Sequence, residues 1–346
     1  MPGFISWISG LFSSPEPATV KAPESRLLNP AALAEDNSAT DPTLIDQLEE
    51  HLFCWLLDSP PTTLRSEPGQ WENILDTLNR RIIRQELEEL PRQPMTLPML
   101  MRALSDDRSD RNHLTEIILN DPALTDQLLQ IANSPYFRPG DQTIDSVDQA
   151  VFVLGLDGIR NVVSAAIMRP MMAARNSREA LFAQRVWRWG LTCARSAELI
   201  AKIQGQDTSV YFMAGLLPAL SYITLRRELQ RICRMEPGMT EPPPALIHAA
   251  LSRYQWATSQ LLANEWNLPP KYHAKLLAAE RPVPKKAQNA LNDGIIVGTR
   301  EVLRHAHQRN MPEEDILRII HISSEQFTRV RKVILDVLEA GSRARA

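Results

Sequence analysis

Asp121-Pro122-Ala123-Leu124-Thr125-Asp126-Gln127-Leu128-Leu129-Gln130-Ile131-Ala132-Asn133-Ser134 is the stretch from which the fold can be read. Asp121 is a strong N-cap, because its carboxylate can accept from a free amide of the first turn. Pro122 follows at the first helical position, where a missing N–H costs nothing. Leu124, Leu128, Ile131 and Ala132 recur at helical spacing and predict one buried stripe. Asn133 tolerates the left-handed conformation that ends a helix, and Pro135 prevents its continuation.

The same logic extends in both directions. Toward the C-terminus, Val147, Ala150, Val151 and Leu154 form an apolar face that Gly155 terminates. Ile159, Val162, Val163, Ala166 and Ile167 then give an amphipathic helix. Near the end, Ser323 and Gln326 have capping-box spacing before Phe327, Val330, Ile334 and Val337. Toward the N-terminus, Leu44, Leu48, Leu52, Trp55 and Leu56 share a face until Pro60-Pro61 stops them. A second helix is expected over 70–90, with Ile74, Leu78, Ile82 and Leu90 on one stripe. No segment alternates with period two between hairpin turns, so the fold class is all-α.

Residues 13–43 are a flexible linker by composition, since Pro15, Pro17, Pro23, Pro30 and Pro42 prevent any long helix. Before it, Phe4, Ile5, Trp7, Ile8, Leu11 and Phe12 form a short apolar segment. It reads as a docking peptide, or as an apolar start tucked onto the body, and it lacks flanking Lys or Arg for anionic lipid. It has no basic n-region, so it does not read as a signal peptide. The expected divisions are a tail at 1–43, a helical extension at 44–90, a core at 91–285 and a C-terminal helical region at 286–346.

The 346 residues carry 38 Lys and Arg against 41 Asp and Glu. A net charge of -3 gives no electrostatic case for nucleic acid or membrane as the main partner. Cys54, Cys193 and Cys233 are odd in number, widely spaced and set in apolar stretches. They read as reduced core residues of a cytoplasmic protein. No apolar run is expected to approach the ~18 residues of a membrane span.

Several ordered motifs together resemble the HDOD family. Asp121-Pro122-Ala123-Leu124 through Asn133-Ser134 is similar to its DPxL…ANS signature. Ala150 with Leu154-Gly155, and Leu90-Pro91 with Pro94 and Pro98, resemble further motifs of that family. So do Val186-Trp187-Arg188, Ala214-Gly215-Leu216-Leu217 and Trp266-Asn267-Leu268-Pro269. The resemblance spans roughly 90–285. It implies a helical bundle related to HD-domain metal phosphohydrolases, and a place in bacterial signal transduction.

The departures carry equal weight. A working HD site needs His and Asp ligands converging on divalent metal, which activates a water for attack on phosphorus. Where the resemblance puts the His-Asp pair, after Gly215-Leu216-Leu217, stands Pro218-Ala219. At the earlier histidine position stands Trp189 or Gly190. The late pair is also missing, since Lys271-Tyr272-His273 follows Leu268-Pro269-Pro270 with no further histidine before His305. Trp189, Leu217, Pro218, Ala219 and Tyr222 are therefore expected to fill or line a degenerate pocket, with no metal or other cofactor.

Other chemistry is sparse. His305 and His307 lie two apart on a helix and cannot chelate together. His51, His113, His248, His273 and His321 are isolated in sequence. No Gly-rich phosphate loop or nucleophile motif is present. Arg178, Arg185 and Arg188 fall near one helix face close to Trp187 and Trp189. Such a set can be a solvated basic face, a protein interface or a phosphate site. Arg226, Arg227, Arg231 and Arg234 resemble a DNA-recognition helix only superficially, and Pro237–Pro244 reads as a surface loop. The reading is a non-catalytic signalling protein that works through protein partners. The alternative is a receptor for a nucleotide or cyclic dinucleotide, and a residual phosphohydrolase comes third.

Overall fold

The computed structural model describes residues 42–343, apart from 68, 106–110, 135, 139–141 and 281–288. The apolar segment at 4–12, nearly all of the linker at 13–43, Pro135 and the side chain of Val337 lie outside the described residues. Thirteen α-helices and two short 3-10 turns account for the regular structure, with no strand among the described residues. The all-α reading holds.

Asp121 accepts from the Leu124 amide at 3.0 Å, with Pro122 in the first turn of α5 (Pro122–Ala132). Leu124, Leu128, Ile131 and Ala132 are all buried, as the spacing requires. The end of the helix differs from expectation. Asn133 stays right-handed, at φ -84°, and works through its side chain instead. Its amide donates to the carbonyls of Leu129 and Ile144 at 2.9 and 2.7 Å, and its oxygen accepts from the Ile144 amide at 2.8 Å. One residue thus closes α5 and fastens the chain that enters α6 (Val147–Met172). That helix breaks at Gly155, whose φ of +66° is open to glycine without strain.

Before these lie α1 (Pro42–Leu57), α2 (Glu72–Ile83), α3 (Leu97–Ser105) and α4 (Arg111–Leu119). The expected helix over 70–90 stops at Ile83, where Gln85 turns to φ +58°. The chain to Leu90 is instead held by a carboxylate, because buried Glu228 accepts from the Glu89 amide at 3.1 Å and from Arg81.

The centre of the molecule is α7 (Ser177–Ile203), packed between α8 (Tyr211–Met235) and α11 (Ala290–His305). Small residues bring these helices to backbone contact. A Cβ on Gly294 would sit 2.3 Å from Ala197 Cα, and one on Gly298 would sit 2.6 Å from Cys193 Cα. Around them are α9 (Pro244–Glu265), α10 (Pro270–Glu280), α12 (Glu313–Ile319) and α13 (Ser324–Arg343). The capping box is reciprocal: Ser323 N–H donates to Gln326 Oε1 at 2.9 Å, and Gln326 N–H to Ser323 Oγ at 3.2 Å.

One expectation is corrected here. The helices at Val147–Met172 and Thr208–Met235 are long and apolar enough to cross a membrane by length and composition. Each nevertheless serves as a core helix, with 56% and 89% of its apolar window buried in the fold. Helices at the centre of a bundle are apolar on most sides, and so meet the same criterion.

Candidate functional site

The residues that the resemblance sets in place of metal ligands lie on α7 and α8. Trp189, on α7, is 2% exposed and stacks on Tyr222 of α8, with ring centroids 4.9 Å apart and planes at 12°. Its indole N–H donates to Thr299 Oγ1 of α11 at 2.9 Å. Phe53 of α1 also packs on the Tyr222 ring, tilted by 30° with centroids 5.7 Å apart. Leu217 and Ala219 are fully buried, and a Cβ on Gly190 would meet Ala219 Cβ at 2.5 Å. The helices touch where the ligands would have to converge, and burial holds the Tyr222 phenol well above its usual range.

These residues do not fit a divalent cation. Proline, alanine and leucine side chains offer no donor atom, and two stacked rings occupy the space. Among the described residues, no three His, Cys, Asp or Glu side chains are grouped so as to hold a metal ion. Of the five residues named for the degenerate pocket, Trp189 and Tyr222 come together as a stack, while Leu217, Pro218 and Ala219 are buried within α8.

The three arginines do not. Arg178 pairs with Glu241 of the α8–α9 loop at 3.1 Å. Arg185 reaches α1, where it meets Asp58 at 3.0 Å, the Trp55 carbonyl and the face of the Trp55 ring. Arg188 is buried beside Tyr136, whose hydroxyl lies 2.8 Å from Thr192 Oγ1. Burial lowers the Arg188 guanidinium from its ordinary value and, with Arg188 close by, pushes His305 of α11 down to about 4. The shared face thus dissolves into three internal ties.

The series after Arg226 behaves the same way. Arg227 spans Glu179 at 2.6 Å and the carbonyls of Met171 and Ala173 at 2.8 and 2.7 Å, closing the end of α6. Arg226 lies over the Phe182 ring, and Arg231 pairs with Glu88.

Sequence reasoning missed two features. Buried Asp293 accepts from His321 Nδ1 and from its backbone amide, each at 3.0 Å. The bond to Asp293 raises the imidazole of His321 above its ordinary 6.5. The two are 28 positions apart, so no spacing could have joined them. The other is an open groove of about 610 Å³ between α3 and the turn at Trp266–Pro269. There the Trp266 indole donates to the Pro91 carbonyl at 2.9 Å. The prolines of two motifs were legible, but their meeting was not.

The HDOD domain model matches residues 90–282. The chain belongs to the HDOD family. An HDOD domain protein of unknown function from Geobacter sulfurreducens shares the fold, with a TM-score of 0.52 and 20% identity. The match covers 78% of this chain and 98% of that one. A Shewanella amazonensis SB2B protein, solved as a candidate metal-dependent phosphohydrolase, is similar with a TM-score of 0.57 and 17% identity. It covers 80% of this chain and 99% of that one, which is more than the span of the domain model. The uncharacterized protein YuxH of Bacillus subtilis (strain 168) is 25% identical over 194 residues, or 52% of this chain. An uncharacterized protein of Treponema pallidum (strain Nichols) is 23% identical over 194 residues, or 54% of this chain. The matched region spans 46% and 37% of these two curated relatives. The chain thus shares its fold with a protein solved as a candidate metal-dependent phosphohydrolase.

Proposed function

We propose that this HDOD chain is a non-catalytic regulatory module that acts through contacts with protein partners, any catalysis residing in a separate protein. The observation that carries the reading is the Trp189–Tyr222 stack, sealed by Thr299, in the place of the metal ligands. Metal-assisted hydrolysis needs an open coordination position and a water brought to phosphorus. Two packed rings supply neither. A site closed in this way leaves the outer surface as the means of action, and aromatic packing keeps that surface rigid for recognition.

The test is a phosphodiesterase and phosphomonoesterase assay of the full chain with Mn²⁺, alongside metal analysis of the purified protein. No turnover above the blank and metal well below one equivalent are expected. Turnover that EDTA abolishes and Mn²⁺ restores would overturn the proposal. Cross-linking in the native host, repeated with surface variants, then identifies the contact face.

A further inference from the structure

The groove beside α3 is an apolar surface without a cover among the described residues. About 610 Å³ in volume, it is lined by buried Leu97 and Leu268 and by Pro98, Met101 and Pro269. Arg102 is the one charged residue among those lining it. Apolar surface continues along the same stretch of chain, where Met95 is 95% and Met99 54% exposed. Pro98, Met99 and Arg102 are exposed on α3, while Leu97, Leu100 and Ala103 are buried. Methionine-rich surfaces of this kind re-pack around an apolar visitor.

The apolar segment at 4–12 has the matching chemistry. Phe4, Trp7, Ile8 and Leu11 fall at the i, i+3, i+4, i+7 spacing by which an amphipathic helix anchors in a groove. Ser6, Ser9 and Ser13 recur on the opposite side of that pattern. The first charged side chain of the sequence is Glu16, opposite in sign to Arg102.

Reach is ample. Residues 13–41 separate the segment from α1. A linker of about 30 residues spans roughly 30 Å as a random coil, and more where proline extends it. A body of about 300 residues has a radius of gyration near 19 Å by the usual scaling. Tethering then sets an effective concentration in the millimolar range, so contacts too weak to hold a free peptide can fill the groove.

We propose that the N-terminal segment of the same chain docks its Phe4, Trp7, Ile8 and Leu11 stripe in this groove. Occupied in this way, the groove is closed to outside apolar ligands until the segment leaves. None of these residues belongs to the Trp189–Tyr222 stack, so the inference stands apart from the loss of catalysis.

Photo-cross-linking of the full chain, with p-benzoyl-phenylalanine in place of Trp7, tests it. Cross-links mapped by mass spectrometry should fall within 95–102 and 266–269 of the same chain, at a yield independent of protein concentration. Met235 and Phe152, 75% and 78% exposed, are open targets that do not line the groove. Hydrogen exchange supplies a second readout without a label. In the double variant Trp7→Ser with Ile8→Ser, amides of 97–103 and 266–268 should exchange several-fold faster than in the parent, with those of 147–156 unchanged. Cross-links spread over exposed residues, centred on Met235 or Phe152, or formed between chains would overturn the proposal. So would groove amides indifferent to the double substitution. Flotation of the parent, but not the double variant, with phosphatidylcholine–phosphatidylglycerol vesicles would place the segment in lipid instead and would overturn it as well.

Discussion

Two places in this molecule were built from similar material and ended differently. Between α7 and α8, aromatic rings stack and small residues bring the helices into close contact. Between α3 and the turn at Trp266–Pro269, Pro98 and Pro269 line an open groove. Proline explains much of the contrast. Pro98 and Pro269 lack amide protons and fix φ, so the segments around them cannot settle into longer, better-packed helices. Pro218 sits inside α8 without the same result: the helix runs on to Met235, and Ser221 Oγ donates to the Pro218 carbonyl at 2.7 Å. The difference teaches that a seam of stacked rings and small residues closes, whereas a groove walled by proline remains open.

The largest expected effect lies on the sealed side. Trp189→Ala removes a buried ring and its tie to Thr299, and should cost about 3–5 kcal/mol of stability, read by urea unfolding. A loss below 1 kcal/mol would mean that the rings are not the filling they look like. Gly294→Ala comes next, at about 1–3 kcal/mol by overpacking, because the Ala197 backbone stands where the new Cβ must go. Thr299→Val keeps the shape but orphans the Trp189 N–H, and should cost about 1–2 kcal/mol. On the open side, Arg102→Gln should stay within about 0.5 kcal/mol of the parent. A larger loss there would erase the contrast.

The smallest effects depend on pH. The folded value of His321 is raised, so its contribution is full below 6.5 and is lost as pH rises through the raised value. His305 works in the opposite sense. Its folded value near 4 lies under the ordinary 6.5, so stability falls as pH drops from 6.5 toward 4. Unfolding midpoints of His321→Gln and His305→Gln, measured from pH 4 to 8, should each lose one limb of the parent profile. A profile unchanged in His321→Gln would remove the Asp293 bond as its cause.

What was legible followed from local chemistry. Caps, stripes and breaks depend on a few neighbouring residues, so Asp121-Pro122, Gly155 and Ser323–Gln326 could be read directly. That Trp189, Pro218 and Ala219 stand where the resemblance puts metal ligands was legible as well, but the stacking of Trp189 on Tyr222 was not. Charged residues were harder. Arg185 and Arg188 share a helical face, yet one belongs to α1 and the other to the interior beside Tyr136 and α11. A guanidinium on a long stem finds its partner through tertiary packing, which spacing does not encode. The pairing of Asp293 with His321 and the meeting of two proline segments failed for the same reason. Asn133 was assigned to the right place with the wrong device, since its side chain offered a better tie than its backbone freedom.

Thr299 lies outside the 90–282 span that defines the family pattern, yet it holds the indole at the centre of that span. A recombinant fragment trimmed to the pattern would therefore leave out its own lid. Such a fragment would bare Cys193, Ala197 and one edge of Trp189 along α7. Its solubility and ligand profile would describe an exposed seam, so a faithful expression boundary runs past α11.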